Sequence, residues 1–592
     1  MGMRRKRHRD KTTKPRGSPL SDRAGVRDSG YGALSRGMSL GDRLEPGVRL
    51  KLVEMARRLD VAAKAIERQS PRPWLTLEGK KDREVKLPPS QELNSVPIVG
   101  MGSDEPEVRR TAPTVDNPRN AKPEPISVTK ASAKEKVRSE EPQIWTLSDA
   151  YAVRRNASPV ANDIQRDEFQ QILIRGVAAF GQKGAHPIFP VIGLDFGTSS
   201  TKAIVQLYGE QNDPAFAVEM PSWALSDNNV YLWQTFLGCS DDGILSPWLE
   251  AGAIPIDNLK TGVIFEPATR LVGTGTARPT FLETMTAYLA YVIRYVRGWM
   301  LTRHREAFTA REVIWSVNVG LPAEKADSAA LALNYRRASV AALLLADSGL
   351  SITTQSCSST INRRDVQDLA KSDESLLARG ISVVPEVAAE VAGWARTTKR
   401  QDGLYAMIDI GAATLDICTF RLNKNELGDD RYSILTAEVR PFGVEAEVWF
   451  AREGKASDEF QYQCAWQRNR VIWSTARTRD SKARCWATSE TLPVFVCGGG
   501  AANALHRRVV DNLGPWLKQF VSNSGANILV VEKPRQLEMH GDAHAFGRLA
   551  VAWGLSYPRL LIGEIVPPSA IDDLAALPVR DLGANYISKD FV

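Results

Sequence analysis

The sequence predicts an α/β fold in which two lobes share one cleft, preceded by a long extension without fixed structure. Three observations carry this expectation. Two segments, 190–207 and 405–420, follow one plan: an apolar strand ending in Asp-x-Gly, a turn of small and hydroxyl residues, and a second apolar strand. A third strand, 494–497, runs into Gly498-Gly499-Gly500 and then a helix. The first 142 residues are basic and then proline-rich, with eleven of the 33 prolines between 71 and 142, a composition that keeps a chain extended.

Residues 1–44 hold too few large apolar groups to offset the entropy of ordering. Over 48–68, Leu52, Met55, Ala56, Leu59, Ala63 and Ile66 recur at helical spacing. They predict one amphipathic helix, which either docks on the body or serves a partner or self-association. The stretch 71–142 reads as a linker. A further helix is expected through Phe169, Ile172, Leu173, Val177 and Phe180, with the compact body starting near 187. The roughly 400 residues from there suffice for two lobes with sizeable cores, placed at 187–402 and, with a closing segment, at 403–592.

Of 592 residues, 43% are hydrophobic and 24% charged, which excludes collagenous, wholly disordered and disulfide-stapled classes. There are 76 Lys+Arg against 69 Asp+Glu, net +7. Residues 1–30 alone hold ten Lys/Arg against three Asp, also net +7, so the remainder is neutral. The basic tail either binds nucleic acid or an acidic partner by counterion release, or only aids solubility. Six scattered cysteines without a CxxC pair argue against a zinc site and fit a reducing cytoplasm. His540 and His544 have metal-ligand spacing, but Gly541 and Asp542 between them favour a solvated turn. No apolar run is long enough to span a bilayer, and no apolar core follows the basic N-terminus as in a secretory signal.

In the first hairpin, Gly197 lets backbone approach an anion. The turn's N–H groups, with Thr198 and Ser199, can cradle phosphate oxygens. Asp195 would hold Mg²⁺ through water, and Lys202 reaches back as a point charge. The second hairpin repeats the pattern with Asp409, Gly411 and Thr414. Two such hairpins 214 residues apart indicate a duplicated fold facing one nucleotide. The triple-glycine turn lets backbone lie against a ligand, with the next helix's N-terminus free to face phosphate or ribose. A strand ending at Pro385 sets Glu386 at the head of an Ala-rich helix, where its carboxylate can orient a water or simply complement the helix dipole. That helix and its counterpart over 544–556 would form the seam between the lobes.

In this order, these residues resemble the actin-like ATPase superfamily, most of all the nucleotide-binding domain of the seventy-kilodalton heat-shock chaperones. Asp195 to Lys202 resembles phosphate motif one, Asp409 to Asp416 phosphate motif two, and Gly498 to Ala501 the adenosine motif. Val384-Pro385-Glu386 is similar to the first connecting motif of actin-like plasmid-segregation proteins, and Ala550–Gly554 to the second of the chaperones. Phe442-Gly443-Val444-Glu445 is similar to the chaperones' Gly-Gly-Glu segment. The resemblance implies a two-lobed fold of duplicated ribonuclease-H-like domains that binds ATP or ADP with Mg²⁺. Asp195 and Asp409 would organise the metal and its waters. Gly197, Thr198, Ser199, Lys202, Gly411 and Thr414 would bind phosphates. Glu386 would position the attacking water, and Gly498, Gly499 and Gly500 would border the adenosine. Lys260 aligns loosely with a phosphate-contacting lysine, and an exposed surface lysine is the plainer expectation.

Three departures are visible. Ala412-Ala413 stands where the chaperones carry glycines, so two methyls are expected to crowd a phosphate and slow turnover. Pro385-Glu386 reverses the chaperones' order. Only 36 residues follow Ser556, so the chaperones' substrate-binding module is not expected. The leading expectation is a slow Mg-ATPase acting as a conformational switch for an unidentified protein partner, in the cytoplasm. The alternatives are an actin-like filament former, a small-molecule kinase and a nucleotide-binding scaffold that no longer hydrolyses.

Overall fold

The computed structural model describes residues 157–571, apart from 180–183, 185, 274–275, 323–327, 453, 455–456, 488–489, 523–524 and 541–545. The basic tail, the amphipathic helix at 48–68, the proline-rich linker, Phe180 and His544 lie outside the described residues. The first described helix, α1 (Asp163–Ala178), opens on an Asn162 capping box and buries Phe169 and Leu173. Phe169 sits among Trp223, Trp233, Trp248 and Tyr295 with ring centroids 5.4–5.9 Å apart. The folded body thus begins ahead of residue 187, because this helix supplies part of the core.

Apolar runs pair into a first mixed sheet. Its main strands are β1 (His186–Phe196), β2 (Ser200–Tyr208), β3 (Ala215–Ala217), the short β4 (Trp233–Gln234), β5 (Ser316–Leu321) and β6 (Ile381–Pro385), and a short strand at Arg311–Val313 pairs alongside β1. The second contains β7 (Gly403–Ile410), β8 (Leu415–Lys424), β9 (Asp430–Arg440), β10 (Leu492–Cys497) and β11 (Ala526–Leu529). Two short edge strands follow, β12 (Leu537–Glu538) on the first sheet and β13 (Glu564–Val566) on the second. The first sheet has the order β6-β5-β1-β2-β3-β12 and the second β11-β10-β7-β8-β9-β13. Strand directions repeat too: two parallel pairings, an antiparallel hairpin, a further antiparallel strand and a parallel edge.

Helices cover the sheets where their apolar stripes demand burial. Around the first lie α2 (Leu259–Phe265), α3 (Phe281–Arg303) and α4 (Ala329–Ser348). Of these, α3 is capped by a Thr280–Glu283 box and buried along nearly its whole length. Next in chain order come α5 (Glu386–Ala395), α6 (Val444–Arg452), α7 (Ser457–Ser474) and α8 (Ala550–Leu555). The pair α5 and α8 forms the expected seam. α5 leaves the first sheet, yet its Trp394 packs edge-on against Tyr405 and Phe495 of the second. α8 follows the second sheet's main strands, yet β5 of the first sheet holds its end, where the buried Asn318 amide donates to the Leu555 and Tyr557 carbonyls at 2.7 and 2.8 Å. Where the two helices cross, a Cβ on Gly554 would overlap the Ala389 carbonyl. One apolar cluster joins both sheets through this pair. Among the described residues no helix is long and apolar enough to cross a membrane.

Candidate active site

The tips of the β1–β2 and β7–β8 hairpins line one cleft of ≈ 280 Å³. Every residue expected from the sequence to hold the metal, the phosphates or the adenosine, or to aim the water, is in its wall: Asp195, Gly197, Thr198, Ser199, Lys202, Glu386, Asp409, Gly411, Thr414, Gly498, Gly499 and Gly500. Hairpin register explains part of this convergence. Asp195 stands opposite Lys202 in the first hairpin, and Asp409 opposite Asp416 in the second.

The second tip is anchored from behind. The N–H groups of Gly443, Val444 and Glu445, at the start of α6, donate to the carbonyls of Ala413, Gly411 and Ala412 at 3.1, 3.2 and 2.9 Å. A trans peptide points N–H opposite C=O, so the amides of Ala412, Ala413 and Thr414 are turned away from α6. None of them has a backbone acceptor among the described residues. Amides left without a backbone acceptor in a turn are suited to receive an anion. Of the two alanine methyls expected to crowd this place, only Ala412 belongs to the cleft wall. Ala413 is buried in the body.

The glycine turn is tied to that hairpin by Gly500 N–H, which donates to the Ile410 carbonyl at 2.8 Å. Gly498 has φ +82°, and a Cβ there would run into the Asp409 carboxylate. The helix beyond begins only at Ala504, and the Asn503 side chain accepts from Leu505 and His506 N–H at 3.0 and 3.1 Å. Its N-terminus is therefore satisfied by its own cap, and the glycines, not the helix end, face the cleft.

Charge in the cleft is mostly negative. Lys202 pairs with Asp195 at 2.9 Å. Lys260, expected at the surface, is buried on α2 and pairs with Glu386 at 2.7 Å. Burial opposes both charges of this pair. For Lys260 the desolvation is outweighed by Glu386 together with Tyr335 and Asp195, so it stays protonated well above its usual range. Loss of hydration, with Asp195 as a further negative neighbour, leaves Glu386 above its usual value despite Lys260. Glu386, Asp409 and Asp416 each offer an oxygen within 4.8 Å of the others, a spacing that can hold a metal ion. Loss of hydration and the charges of Glu386 and Asp195 raise the Asp409 carboxyl to about 7. Burial and Asp409 raise Asp416 and Glu390 well above their ordinary values.

This fixes a sign for pH dependence. Folded Asp409 keeps its proton up to about pH 7, whereas an unfolded aspartate loses it near about pH 4. Across that window the folded chain binds more protons, so stability is expected to fall as pH rises through it. Denaturant midpoints measured across the window check this: they should decline as pH rises, and midpoints that stay level or rise would contradict it.

Several residues in or behind the wall were not singled out from the sequence, among them Asp416, Glu390, Arg548 and Thr235. Asp416 was legible as the cross-strand partner of Asp409. Glu390 lies one helical turn beyond Glu386 on the same face and lines the cleft. Arg548 also lines it and pairs with Asp227 at 2.9 Å; Thr235, behind the first tip, comes from a loop with no motif of its own. The Cys and His expectations divide differently. All six cysteines are free and buried. The His540 side chain is exposed.

No protein-family model matches this chain, and no curated protein matches it. The functional reading therefore stands on the cleft.

Proposed function

We propose that the chain binds Mg-ATP across this cleft and hydrolyses it slowly, as a nucleotide-dependent switch read by a protein partner. The observation that carries the reading is the convergence of two Asp-x-Gly tips, a triple-glycine turn and a buried Glu–Lys pair on one cleft. In this reading the repeated sheets are the two ribonuclease-H-like lobes of an actin-like ATPase, hinged at the α5–α8 crossing.

The donor set suits a hydrated divalent cation: several carboxylates converge with few positive charges, and the buried Asp416 Oδ1 has no hydrogen-bond partner among the described residues. Asp195 and Asp409 would hold Mg²⁺ through its waters. When bound, the ion neutralises phosphate charge that grows on the leaving oxygens. The chain's own groups do the rest. Amides of both tips receive phosphate oxygens. Glu386 accepts a hydrogen bond from the attacking water and aims it, while Lys260 helps keep that carboxylate ionised. Gly499 and Gly500 give the adenosine a flat wall. Residues 1–30 would add contacts to nucleic acid or to an acidic partner.

The test is ATP affinity and turnover with and without Mg²⁺, for the wild type and Asp195→Ala. The variant is expected to lose the metal-dependent gain in affinity. A wild-type chain that binds no ATP, or a variant that keeps the gain, overturns the proposal.

A further inference from the structure

We infer that Thr235 is a positioning residue that aims the amides of the first hairpin tip into the cleft, an inference that rests on the nucleotide reading above. Thr235 directly follows the short strand β4, which runs beside the start of β2 through the pairs Ser200–Gln234 and Thr201–Trp233. It is 2% exposed and does not itself line the cleft. Its N–H donates to the Ser199 carbonyl at 3.0 Å, and its hydroxyl donates to the Gly197 carbonyl at 2.8 Å. Both carbonyls belong to the tip that carries Thr198 and Ser199.

The direction of the hydroxyl bonds is settled by counting protons. The Gly197 carbonyl can only accept, so it takes the single proton of Thr235. The Thr201 hydroxyl, 3.1 Å from Thr235 Oγ1, must then be the donor to it. Thr201 is fully buried. With the Gly197 and Ser199 carbonyls held at Thr235, the N–H groups of Thr198 and Ser200 point the other way. The Thr198 N–H, which lies outside the strands, has no backbone acceptor among the described residues, and both residues line the cleft.

The second tip is held in the same manner by the amides of Gly443, Val444 and Glu445. The difference is chemical. Only proline removes a backbone N–H, and it fixes φ as well, whereas the first anchor includes a side-chain hydroxyl that a simple substitution removes. Thr235→Val keeps the shape and the N–H bond to Ser199 but frees the Gly197 carbonyl. The peptide joining Gly197 to Thr198 can then rotate, and the Thr198 amide is no longer aimed.

The experiment measures equilibrium binding of ATP, ADP and adenosine to the full-length chain for the wild type, Thr235→Val and Thr235→Ser. ATP and ADP are expected to bind about tenfold more weakly to Thr235→Val, the worth of roughly one well-placed hydrogen bond. Adenosine, which has no phosphate, should bind as to the wild type, and Thr235→Ser should restore both nucleotides. Equal loss of adenosine and ATP would mark Thr235 as merely structural and overturn the inference, as would wild-type ATP affinity in Thr235→Val. Should Thr235→Val fail to fold, Thr235→Ala carries the same comparison, since it leaves room for a water to partner Thr201. A wild type that binds no ATP defeats the nucleotide reading itself, a result distinct from either failure of Thr235.

Discussion

Glu386→Gln is expected to bind ATP like the wild type and to hydrolyse it about a hundredfold more slowly, or less still. The carboxylate heads α5 at the base of the cleft, where it can take a hydrogen bond from a water aimed at the terminal phosphate. An amide keeps the shape but orients that water poorly and accepts its proton hardly at all, and positioned acid–base groups contribute about 10²–10⁴ in rate. Glutamine is the informative substitution because of Lys260. That ammonium is buried and bonded to Glu386 at 2.7 Å. Alanine would strand a buried charge, which costs about 3–5 kcal/mol, and would confuse a catalytic defect with a folding one. The glutamine carbonyl can still accept from Lys260. Single-turnover hydrolysis beside equilibrium ATP binding separates the two effects; turnover equal to the wild type would remove Glu386 from the reaction.

Gly554→Ala is expected to destabilise the fold by about 3 kcal/mol or more, at the upper end for an overpacked site. The added Cβ would fall on the Ala389 carbonyl, which is backbone and cannot swing aside. The α5–α8 pair would have to separate, and α5 carries Glu386 and Glu390. Nucleotide affinity should therefore fall along with stability. Gly514→Ala is the control. It lies within a helix, and its Cβ would meet only the Ala526 amide nitrogen at 3.7 Å. Replacing glycine there should be neutral or stabilise by about 0.5–1 kcal/mol. Denaturant midpoints of the two variants decide the matter; similar values would mean that the crossing is looser than its geometry indicates.

Much of the cleft was legible because its parts are local. A strand, an Asp-x-Gly turn and a returning strand are contiguous, so the periodicity and turn chemistry of 190–207 and 405–420 specify each hairpin without help from the rest of the chain. The strand ending at Pro385 and the helix starting at Glu386 were legible for the same reason, since proline fixes the boundary. What escaped depended on distant neighbours. Lys260 resembles a surface lysine until α2 is packed opposite Glu386, 126 residues away. Thr235 sits in a loop without a motif, and its role exists only because β4 lies beside the tip. The helix α1 was expected, but its place in the core was not, because Phe169 finds its aromatic partners from residue 223 onward.

The amino-acid sequence by itself determined that this chain carries two like hairpins, a glycine turn and an acidic helix start, since backbone freedom and side-chain period are settled within a few residues. Only the tertiary structure decided that these pieces face each other. It set the two sheets in matching strand order, crossed α5 over α8 at Gly554, and turned the tip amides outward by fixing their carbonyls from behind. The physical reason is that an anion site is made of directions as well as residues, and the direction of a peptide N–H depends on what holds the carbonyl on its other side.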